Sequence, residues 1–270
     1  MSDGSSQRGG GTPRISVIVP VWNEAPLVAD AIRAARLVAD EVIVVDAGSP
    51  DGTAARAKEA GALVVEADKG RGRQLPAGAA RASGDVLLFL HADARLPLRA
   101  RAAILNALAD PATVGGAFYI RFLPASWFTR ILEPANSLRR RLSRRYYGDT
   151  GLFVRASAYR ELGGHEPWAV MHDYEFSGRM ERHGPCVYIQ DPCIWASARR
   201  FQGRELRTLF TWLFIQTAYR FGASPHWLSR FYPDARGHEE EFLKEIGRHP
   251  EFRDATHGVI PGRRRRARNP

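Results

Sequence analysis

The first half of the chain alternates continuous apolar runs with segments of helical spacing. The apolar runs, which we interpret as strands, cover residues 15–21, 41–46, 62–66 and 85–91. The helical segments between them cover residues 25–39, 49–61 and 72–82. Strands that are apolar on both faces and alternate with helices are typical of a parallel sheet covered on both sides. The pattern therefore predicts an α/β fold with a Rossmann-like, mostly parallel central sheet and helices on both faces.

The second half is less regular. In chain order, its pattern predicts a strand, a basic helix, a strand, a helix, a short strand and an amphipathic helix, at residues 114–122, 127–145, 149–154, 171–183, 187–190 and 204–221. We expect one domain over residues 14–235, made of the halves 14–110 and 111–235. Residues 1–13 are predicted to be a disordered tail, and residues 236–270 a C-terminal extension with a disordered basic end.

Polar side chains follow three of the predicted strands at their carboxyl ends. They are Asn23 and Glu24 after the first strand, Asp46, Ser49 and Asp51 after the second, and His91 and Asp93 after the fourth. Ligands of open α/β sheets bind beyond the carboxyl ends of the strands. The fold is therefore expected to gather these side chains at one edge, as a ligand site.

The turn after the second strand, Asp46-Ala-Gly-Ser-Pro-Asp-Gly-Thr53, sets a carboxylate among small residues. A carboxylate at a strand end can accept hydrogen bonds from a base or a ribose, and small neighbours let the backbone approach a ligand closely. The same residues are common in tight turns and helix caps, with Ser49 or Asp51 as the cap. Taken alone, the segment supports both interpretations equally.

The segment Leu90-His-Ala-Asp93 places a carboxylate directly after a buried strand. Such carboxylates bind Mg²⁺ or Mn²⁺, often together with substrate phosphates. A divalent cation offsets the charge that builds on a leaving diphosphate. His91 would be a second ligand or a support to Asp93, although a lone His-x-Asp is more often structural.

Two further segments carry candidate chemistry. In Met171-His-Asp-Tyr-Glu175, Asp173 is a candidate general base for an acceptor hydroxyl, although acidic residues also favour the start of any helix. In Ser197-Ala-Arg-Arg-Phe201, the forked donors of Arg199 and Arg200 suit phosphate recognition. Two adjacent arginines are, however, more often an ordinary surface pair.

Composition adds a strongly basic charge to this picture. Of the 270 residues, 44% are hydrophobic and 25% charged, which predicts a packed core. The net charge is +10, with arginine clusters at residues 139–145 and 263–268. Both clusters would favour phosphates or an anionic membrane surface, which makes peripheral membrane contact an option. A nucleic-acid partner is not expected, because no nucleic-acid module is recognisable.

The remaining features bear on location. Cys186 and Cys193 are expected to be buried free thiols in a reducing compartment. The N-terminal residues lack the apolar core of a signal peptide, and no run approaches the roughly 20 apolar residues that span a bilayer. We expect a cytoplasmic protein, either free or peripheral at the inner membrane face. Its oligomeric state does not follow from the sequence.

Taken together, residues 15–201 resemble the family 2 glycosyltransferases of the GT-A fold. The donor-side segments are similar to the family's first-strand signature, its D-x-x-S-x-D-x-T nucleotide-binding turn and its G-x-x-x-Q region, at residues 20–24, 46–53 and 69–74. His91-Ala-Asp93 stands where the family has its metal-binding D-x-D, and His172-Asp173 where it has its catalytic E-D. The L-H-A-D pattern is similar to a subgroup of small bacterial transferases that add a single sugar.

The resemblance implies a role for each matching residue. Nucleotide and donor binding falls to Pro20, Asn23, Glu24, Asp46, Gly48, Ser49, Asp51, Lys69, Arg73, Gln74, Ala92, Arg199 and Arg200. The acceptor or sugar side falls to Asp149, Thr150 and Gly151. Asp93, with His91, would bind a divalent metal, Mg²⁺ or Mn²⁺, and Asp173, with His172, would be catalytic as the base of an inverting displacement. Residues 14–110 would be the nucleotide-sugar half and residues 111–235 the acceptor half.

His91 and His172 depart from the family pattern, since each replaces an acidic residue. A strict Q-x-x-R-W motif and a following membrane span are both missing from the sequence, which favours single addition over processive synthesis. The resemblance implies an inverting glycosyltransferase that uses a nucleoside-diphosphate sugar, a UDP-sugar first and GDP-mannose next. Its acceptor would be an unidentified small or lipid-linked molecule. The alternatives are a nucleotidyltransferase that makes a nucleotide sugar, and a non-catalytic protein that binds nucleotide sugars or a membrane surface.

Overall fold

The computed structural model describes residues 11–232 and 237–252. Its strands are β1 (Ile15–Val21), β2 (Glu41–Asp46), β3 (Leu63–Glu66), β4 (Val86–Phe89), β5 (Ala94–Arg95), β6 (Gly115–Leu123), β7 (Phe153–Arg155) and β8 (Cys186–Ser197). Its α-helices are α1 (Val28–Arg36), α2 (Thr53–Glu59), α3 (Arg71–Ala79), α4 (Ala100–Ala107), α5 (Trp127–Ser143), α6 (Ala156–Glu161), α7 (His172–His183), α8 (Glu205–Arg220), α9 (Pro225–Leu228) and α10 (Glu239–Arg248). Most of the predicted N-terminal tail and the arginine cluster at 263–268 lie outside the described residues.

All of these strands belong to one sheet, in the order β3-β2-β1-β4-β7-β6-β8-β5. Strand β1 pairs in parallel with β2 and β4, and β2 pairs in parallel with β3. Strand β7 runs antiparallel to β4 and β6, whereas β6 and β8 run parallel, with β5 antiparallel at the edge. The mostly parallel sheet confirms the predicted α/β class.

A large apolar cluster covers each face of the sheet. Alternate residues of a strand point to opposite faces, and β1 follows this rule, since Val17 and Val19 belong to one cluster and Ile18 to the other. Helices α1, α4 and α5 contribute to the first cluster, and α3, α6 and α7 to the second. Because both faces are covered, every residue of β1 is buried. This burial is the physical reason for the continuous apolar runs in the sequence.

The C-terminal helix α10 joins the domain through a smaller cluster. Phe242 and Ile246 pack against Leu27 and Leu123. The sequence pattern did not predict this helix, nor α4, α6 and α9. Helix α10 matters for the site because its first residue, Glu239, contacts the segment after β8.

Two predicted strands differ from the observed ones. Residues 149–154 form a 3-10 turn followed by the short β7, because Gly151 adopts a left-handed conformation with φ of 60°. The strand predicted at residues 187–190 extends over all of β8. Its pairing with β6 continues past an irregularity between Phe118 and Ile120.

Three smaller predictions can also be compared with the structure. The residue that caps α2 is Gly52, at φ of 84°, rather than Ser49 or Asp51. The two cysteines are free but only half-buried, and burial raises the pKa of Cys186 to about 12 and that of Cys193 to about 11. No helix within the described ranges is long and apolar enough to cross a membrane.

Gly116 lies where β6 passes close to its neighbours. A Cβ at this position would lie 2.0 Å from the carbonyl oxygen of Val187 and 2.7 Å from the ring of Phe153. We expect Gly116→Ala to lower the free energy of unfolding by about 1–3 kcal/mol, because the closely packed strands must shift to admit a methyl group. Urea unfolding of the full chain measures the change.

The matched control is Gly247→Ala, since a Cβ at this glycine of α10 meets open space. We expect this substitution to leave stability unchanged or to raise it by up to about 1 kcal/mol, because alanine favours the helix over glycine. Equal effects of the two substitutions would contradict the close approach at Gly116.

Candidate active site

A cavity of about 150 Å³ lies beyond the carboxyl end of β4. Its wall is built by the segment after β4, the start of α3, helix α5, the turn at Gly148–Thr150, the start of α7, the segment after β8, and α8. Its ionisable lining residues include the acids Asp93, Asp149 and Asp173 and the bases Arg71, His91, Arg139, Arg140, Arg145, His172 and Arg200. Segments from both halves of the chain therefore meet around one space.

The predicted metal segment and the predicted base lie on either side of Gly148. The N–H of Gly148 donates to Oδ2 of Asp173 at 2.5 Å, and the N–H of Tyr174 donates to its Oδ1 at 2.7 Å. A Cβ on Gly148 would lie 3.0 Å from Nε2 of His91 and 3.3 Å from Oδ2 of Asp173. Only a glycine therefore fits between these two side chains without displacing either.

Two of the cavity carboxylates have opposite electrostatic environments. Burial, and then the negative charge of Asp173, raises the pKa of Asp149 to about 6. Burial would also raise the pKa of Asp93, but the charges of Arg199 and Arg200 outweigh it and hold that pKa well below its ordinary value. Asp93 is thus ionised at neutral pH, whereas Asp149 changes from protonated to ionised as the pH rises through about 6.

The two histidines that replace acidic residues of the family pattern are buried and uncharged. Burial, and then the charge of Arg71, lowers the pKa of His91 far below its ordinary value. Burial also lowers the pKa of His172, against the opposing effect of Asp173. His172 follows Met171, a non-glycine residue at φ of 64°. Such a conformation is uncommon for a residue other than glycine, and it is enriched at turns and at functional sites.

Arg199 holds Asp93 from behind the cavity. Its Nε donates to Oδ2 of Asp93 at 2.9 Å, its Nη2 to Glu24 at 2.6 Å and its Nη1 to Glu239 at 3.2 Å. Arg199 does not line the cavity, whereas its neighbour Arg200 does. The structure therefore separates the predicted arginine pair, with Arg199 placed to position Asp93 and Arg200 placed to meet a ligand.

The predicted nucleotide turn lies beside the cavity rather than in its wall. Asp46 accepts hydrogen bonds from the N–H groups of Gly48 at 3.1 Å and Ser49 at 2.9 Å. The hydroxyl of Ser49 accepts from the N–H of Asn23 at 2.8 Å, and Asp51 accepts from the N–H of Ala25 at 3.1 Å. These bonds lock the turns after β1 and β2 together. The side-chain oxygen of Asn23 is buried and makes no hydrogen bond within the described residues, which leaves an acceptor for a ligand.

The other predicted donor residues divide between structural and exposed positions. The amide of Gln74 donates to the carbonyl oxygens of Val21 at 2.9 Å and Val45 at 2.8 Å, which ties β1 to β2. Nζ of Lys69 lies 2.9 Å from the centre of the Trp22 ring, and Arg73 is exposed beside Asp68.

Four more predicted residues lie close to the cavity. Pro20 lines a small adjoining cavity that it shares with His91, His172 and Asp173. Ala92 is buried. Thr150 lines the main cavity, and Gly151 directly follows it in the turn.

Sequence reasoning missed Arg71 and the arginines of α5 as lining residues of the cavity. Arg71 begins α3, three residues before the buried Gln74, and residues three apart share a helix face. That spacing was available as a signal, and it distinguishes Arg71 from the exposed Arg73. No comparable signal identified Arg139 and Arg140, because their placement depends on where α5 packs.

We expect the raised pKa of Asp149 to make stability depend on pH. The folded protein holds this proton up to about pH 6, against an ordinary pKa of 3.8, so the stabilisation present below pH 3.8 is lost as pH rises through 6. Asp149→Asn is therefore expected to be more stable than the unsubstituted protein above pH 6, by about 1–3 kcal/mol. Melting temperatures followed by circular dichroism at pH 4 and pH 8 measure the difference.

Asp40→Asn is a control of opposite sign. Burial would raise the pKa of Asp40, but hydrogen bonds from Arg101 and from the N–H of Ile15 outweigh it and lower that pKa. This variant should lose stability at high pH. A gain at pH 8 for both variants, or for neither, would contradict the environment assigned to Asp149.

Comparison with known proteins connects this site to a family. The family described as Glycosyl transferase family 2 matches residues 16–162. Glucosyl-3-phosphoglycerate synthase from Mycobacterium tuberculosis is 23% identical, with 78% of this chain and 82% of that chain covered and a TM-score of 0.54. Its complex with Mn²⁺, uridine diphosphate and glucosyl-3-phosphoglycerate is 24% identical over 74% of this chain and 78% of that chain, at a TM-score of 0.53. Both similarities show a shared fold.

A mycobacterial protein of solved structure is 26% identical, and this chain spans only 54% of its length, at a TM-score of 0.42. The match to the family model, by contrast, is extensive enough to assign the family. It covers more than half of the 270 residues and includes the strands β1 to β7, with the segments after β1, β2 and β4. The protein therefore belongs to glycosyl transferase family 2 and is a glycosyltransferase of the GT-A fold.

Proposed function

We propose that this enzyme is an inverting glycosyltransferase that moves one sugar from a nucleoside-diphosphate sugar to an acceptor hydroxyl by direct displacement. The observation that carries the proposal is the convergence of Asp93, Asp149 and Asp173 with Arg71 and Arg200 on one cavity. Carboxylates suit a cation and an attacking hydroxyl, and arginines suit a diphosphate. A site with both sets can stabilise the leaving group and accept the proton of the nucleophile.

The donor is proposed to lie between the interlocked turns after β1 and β2 and the cavity. The unpartnered side-chain oxygen of Asn23 and the backbone around Gly48 would face the nucleotide. Arg71 and Arg200 would meet the diphosphate, since both lie close enough to Asp93 to act on its charge. A UDP-sugar is the favoured donor and GDP-mannose the next, and a complex of the mycobacterial synthase with Mn²⁺ and uridine-diphosphate-glucose supports this order.

The donor set around Asp93 fits one divalent metal shared with substrate oxygens. Within the described residues, no three His, Cys, Asp or Glu side chains form a metal cage. Mg²⁺ and Mn²⁺ do not require one, because they are commonly held by one or two carboxylates together with phosphate oxygens. Arg199 bonds to Oδ2 of Asp93, and Oδ1 remains for the ion. The neutral His91 would support this carboxylate or bind the same ion. When bound, the ion would offset charge on the leaving diphosphate.

Asp173 is proposed as the base. Each of its oxygens accepts one backbone hydrogen bond, from Gly148 or from Tyr174, which fixes the carboxylate and leaves it able to accept a proton. The acceptor oxygen forms its bond to the anomeric carbon as the bond from that carbon to the diphosphate breaks, and the proton passes to Asp173. Asp149, which lines the same cavity, would contact the sugar or the acceptor.

We also propose that the enzyme works in the cytoplasm and contacts the inner membrane face at its periphery. Helix α5 exposes Trp127, Ile131, Leu138 and Leu142, whose spacing places them on one face. Arg141, also exposed, lies beside them and complements anionic headgroups. The same helix lines the cavity, so attachment through α5 would bring the site close to a lipid-linked acceptor.

A nucleotide-release assay tests the transfer reaction. With Mn²⁺ and a panel of nucleoside-diphosphate sugars, we expect Asp173→Asn to slow release of the nucleoside diphosphate by about 10²–10⁴-fold while donor binding is kept, because an amide cannot accept the proton of the attacking hydroxyl. Asp93→Ala should instead weaken metal-dependent donor binding. The control is Asp30→Asn, an exposed acid of α1 paired with Arg33. Release from no donor, or equal rates in all variants, would overturn the proposal.

A flotation assay tests the membrane contact. We expect the full chain to float with phosphatidylglycerol vesicles and not with phosphatidylcholine vesicles. Replacing Leu138 and Leu142 by Gln should reduce the bound fraction by about tenfold or more, since each exposed leucine contributes roughly 1.5 kcal/mol when buried in lipid. Leu63→Gln, at an exposed leucine of β3, should not. Absence of binding to either vesicle, or equal loss in both variants, would argue against attachment through α5.

A further inference from the structure

The α5 side of the cavity carries positive charge that the proposed donor chemistry does not use. Arg139 and Arg140 of α5 line the cavity, as does Tyr147 shortly after the helix. Arg71 and Arg200, the arginines assigned to the diphosphate, come from other segments. The α5 arginines are therefore available to bind another ligand.

Within the described residues, the close contacts of Arg139 are with uncharged groups. Its guanidinium carbon lies 3.8 Å from the centre of the Tyr147 ring, and its Nη2 is 3.5 Å from the side-chain oxygen of Asn136. Its Nη1 is buried and has no hydrogen-bond partner among the described residues. Asp149 is near enough for its charge to act on Arg139, but no carboxylate within the described residues forms an ion pair with it. A half-buried guanidinium without such a pair is costly, and its unpartnered N–H group indicates that an anion binds here.

Arg140 and Tyr147 add to the same surface. Nη2 of Arg140 donates to the hydroxyl of Tyr146 at 2.7 Å and lies 3.7 Å from Glu181, but Glu181 also pairs with Arg144 at 2.9 Å. Nε of Arg140 and the hydroxyl of Tyr147 are buried and have no partner within the described chain. Buried polar groups in native proteins are seldom left unpaired, so three such groups in one wall indicate a bound oxyanion.

This wall is close to the reacting groups. Tyr147 directly precedes Gly148, whose N–H donates to Asp173. Consecutive Cα atoms are about 3.8 Å apart, so a short molecule can reach from Tyr147 to Asp173. Asp149, two residues after Tyr147, lines the same cavity, and the charges of Arg200 and Arg139 act on it.

We propose that Arg139, Arg140 and Tyr147 bind an oxyanion, a phosphate or a carboxylate, on the acceptor. The acceptor is then a hydroxyl compound whose negative group lies a few bonds from the oxygen that attacks. The oxyanion can belong to a water-soluble molecule or to a lipid headgroup. The assignment to an acceptor rests on the proposed function, whereas the oxyanion site itself does not.

Inorganic phosphate is the probe for this site. Calorimetric titration of phosphate into the full chain, saturated with uridine diphosphate and Mn²⁺ so that the diphosphate position is filled, is expected to show one binding event. Arg139→Gln should weaken it by about tenfold or more, because a charge-assisted bidentate contact is lost. Arg130→Gln, which removes the same charge from an exposed position on α5, should leave the affinity unchanged.

Tyr147→Phe keeps the test decisive if Arg139→Gln does not fold. This variant removes one hydroxyl and should weaken phosphate binding severalfold, with circular dichroism confirming an intact fold. Absence of phosphate binding, or equal affinity in the Arg139, Arg130 and Tyr147 variants, would overturn the oxyanion site.

The same titrations separate this proposal from the proposed function. Binding of uridine diphosphate without phosphate binding would overturn the oxyanion site and leave the transferase proposal standing. Phosphate binding that depends on Arg139, without any nucleotide binding, would overturn the transferase proposal and leave the oxyanion site standing.

A competition arm identifies the source of the oxyanion. Displacement of phosphate by glycerol 3-phosphate indicates a soluble acceptor, and displacement by phosphatidylglycerol vesicles a lipid headgroup. Neutral glycerol and phosphatidylcholine vesicles are the matched controls. Displacement by neither anionic compound would contradict the assignment of this site to an acceptor.

Discussion

The buried guanidinium of Arg199 ties together three parts of the chain that are distant in sequence. It bonds to Asp93 after β4, to Glu24 after β1 and to Glu239 at the start of α10. A buried cation is costly unless carboxylates converge on it, so this cluster can form only when the sheet edge, the first turn and α10 are all in place. The orientation of Asp93, and with it the proposed cation-binding side of the cavity, depends on this interaction.

The three carboxylates of the cavity lie in different environments. Asp93 is kept ionised by arginines on the sheet side, which suits a residue that meets a cation. Asp149 has its pKa raised to about 6 by burial and by Asp173, which suits a residue that contacts neutral sugar hydroxyls. Asp173 is oriented by two backbone N–H groups. Three chemically identical side chains thus acquire different behaviour because their neighbours differ, as is common at catalytic sites.

Much of the fold could be predicted because burial on both faces of a parallel sheet forces continuous apolar runs. The same logic predicted that Asp93 lies at the site edge, since ligand-binding residues follow the carboxyl ends of strands. It could not predict that Asp46 is bonded to its own turn, or that Arg199 faces away from the cavity while Arg200 faces into it. Adjacent residues differ in direction by local backbone geometry, which a polarity pattern does not record.

The sequence by itself determined the α/β class, the order of the polar segments and the identity of the candidate acids, because these follow from hydrophobic periodicity and strand ends. Tertiary structure alone decided that α5 brings Arg139 and Arg140 to the cavity, that Arg71 rather than Arg73 faces it, and that α10 closes onto Arg199. These outcomes depend on contacts between residues far apart in the chain. Such contacts are set by how helices pack on the sheet, and the hydrophobic periodicity of the sequence does not record that packing.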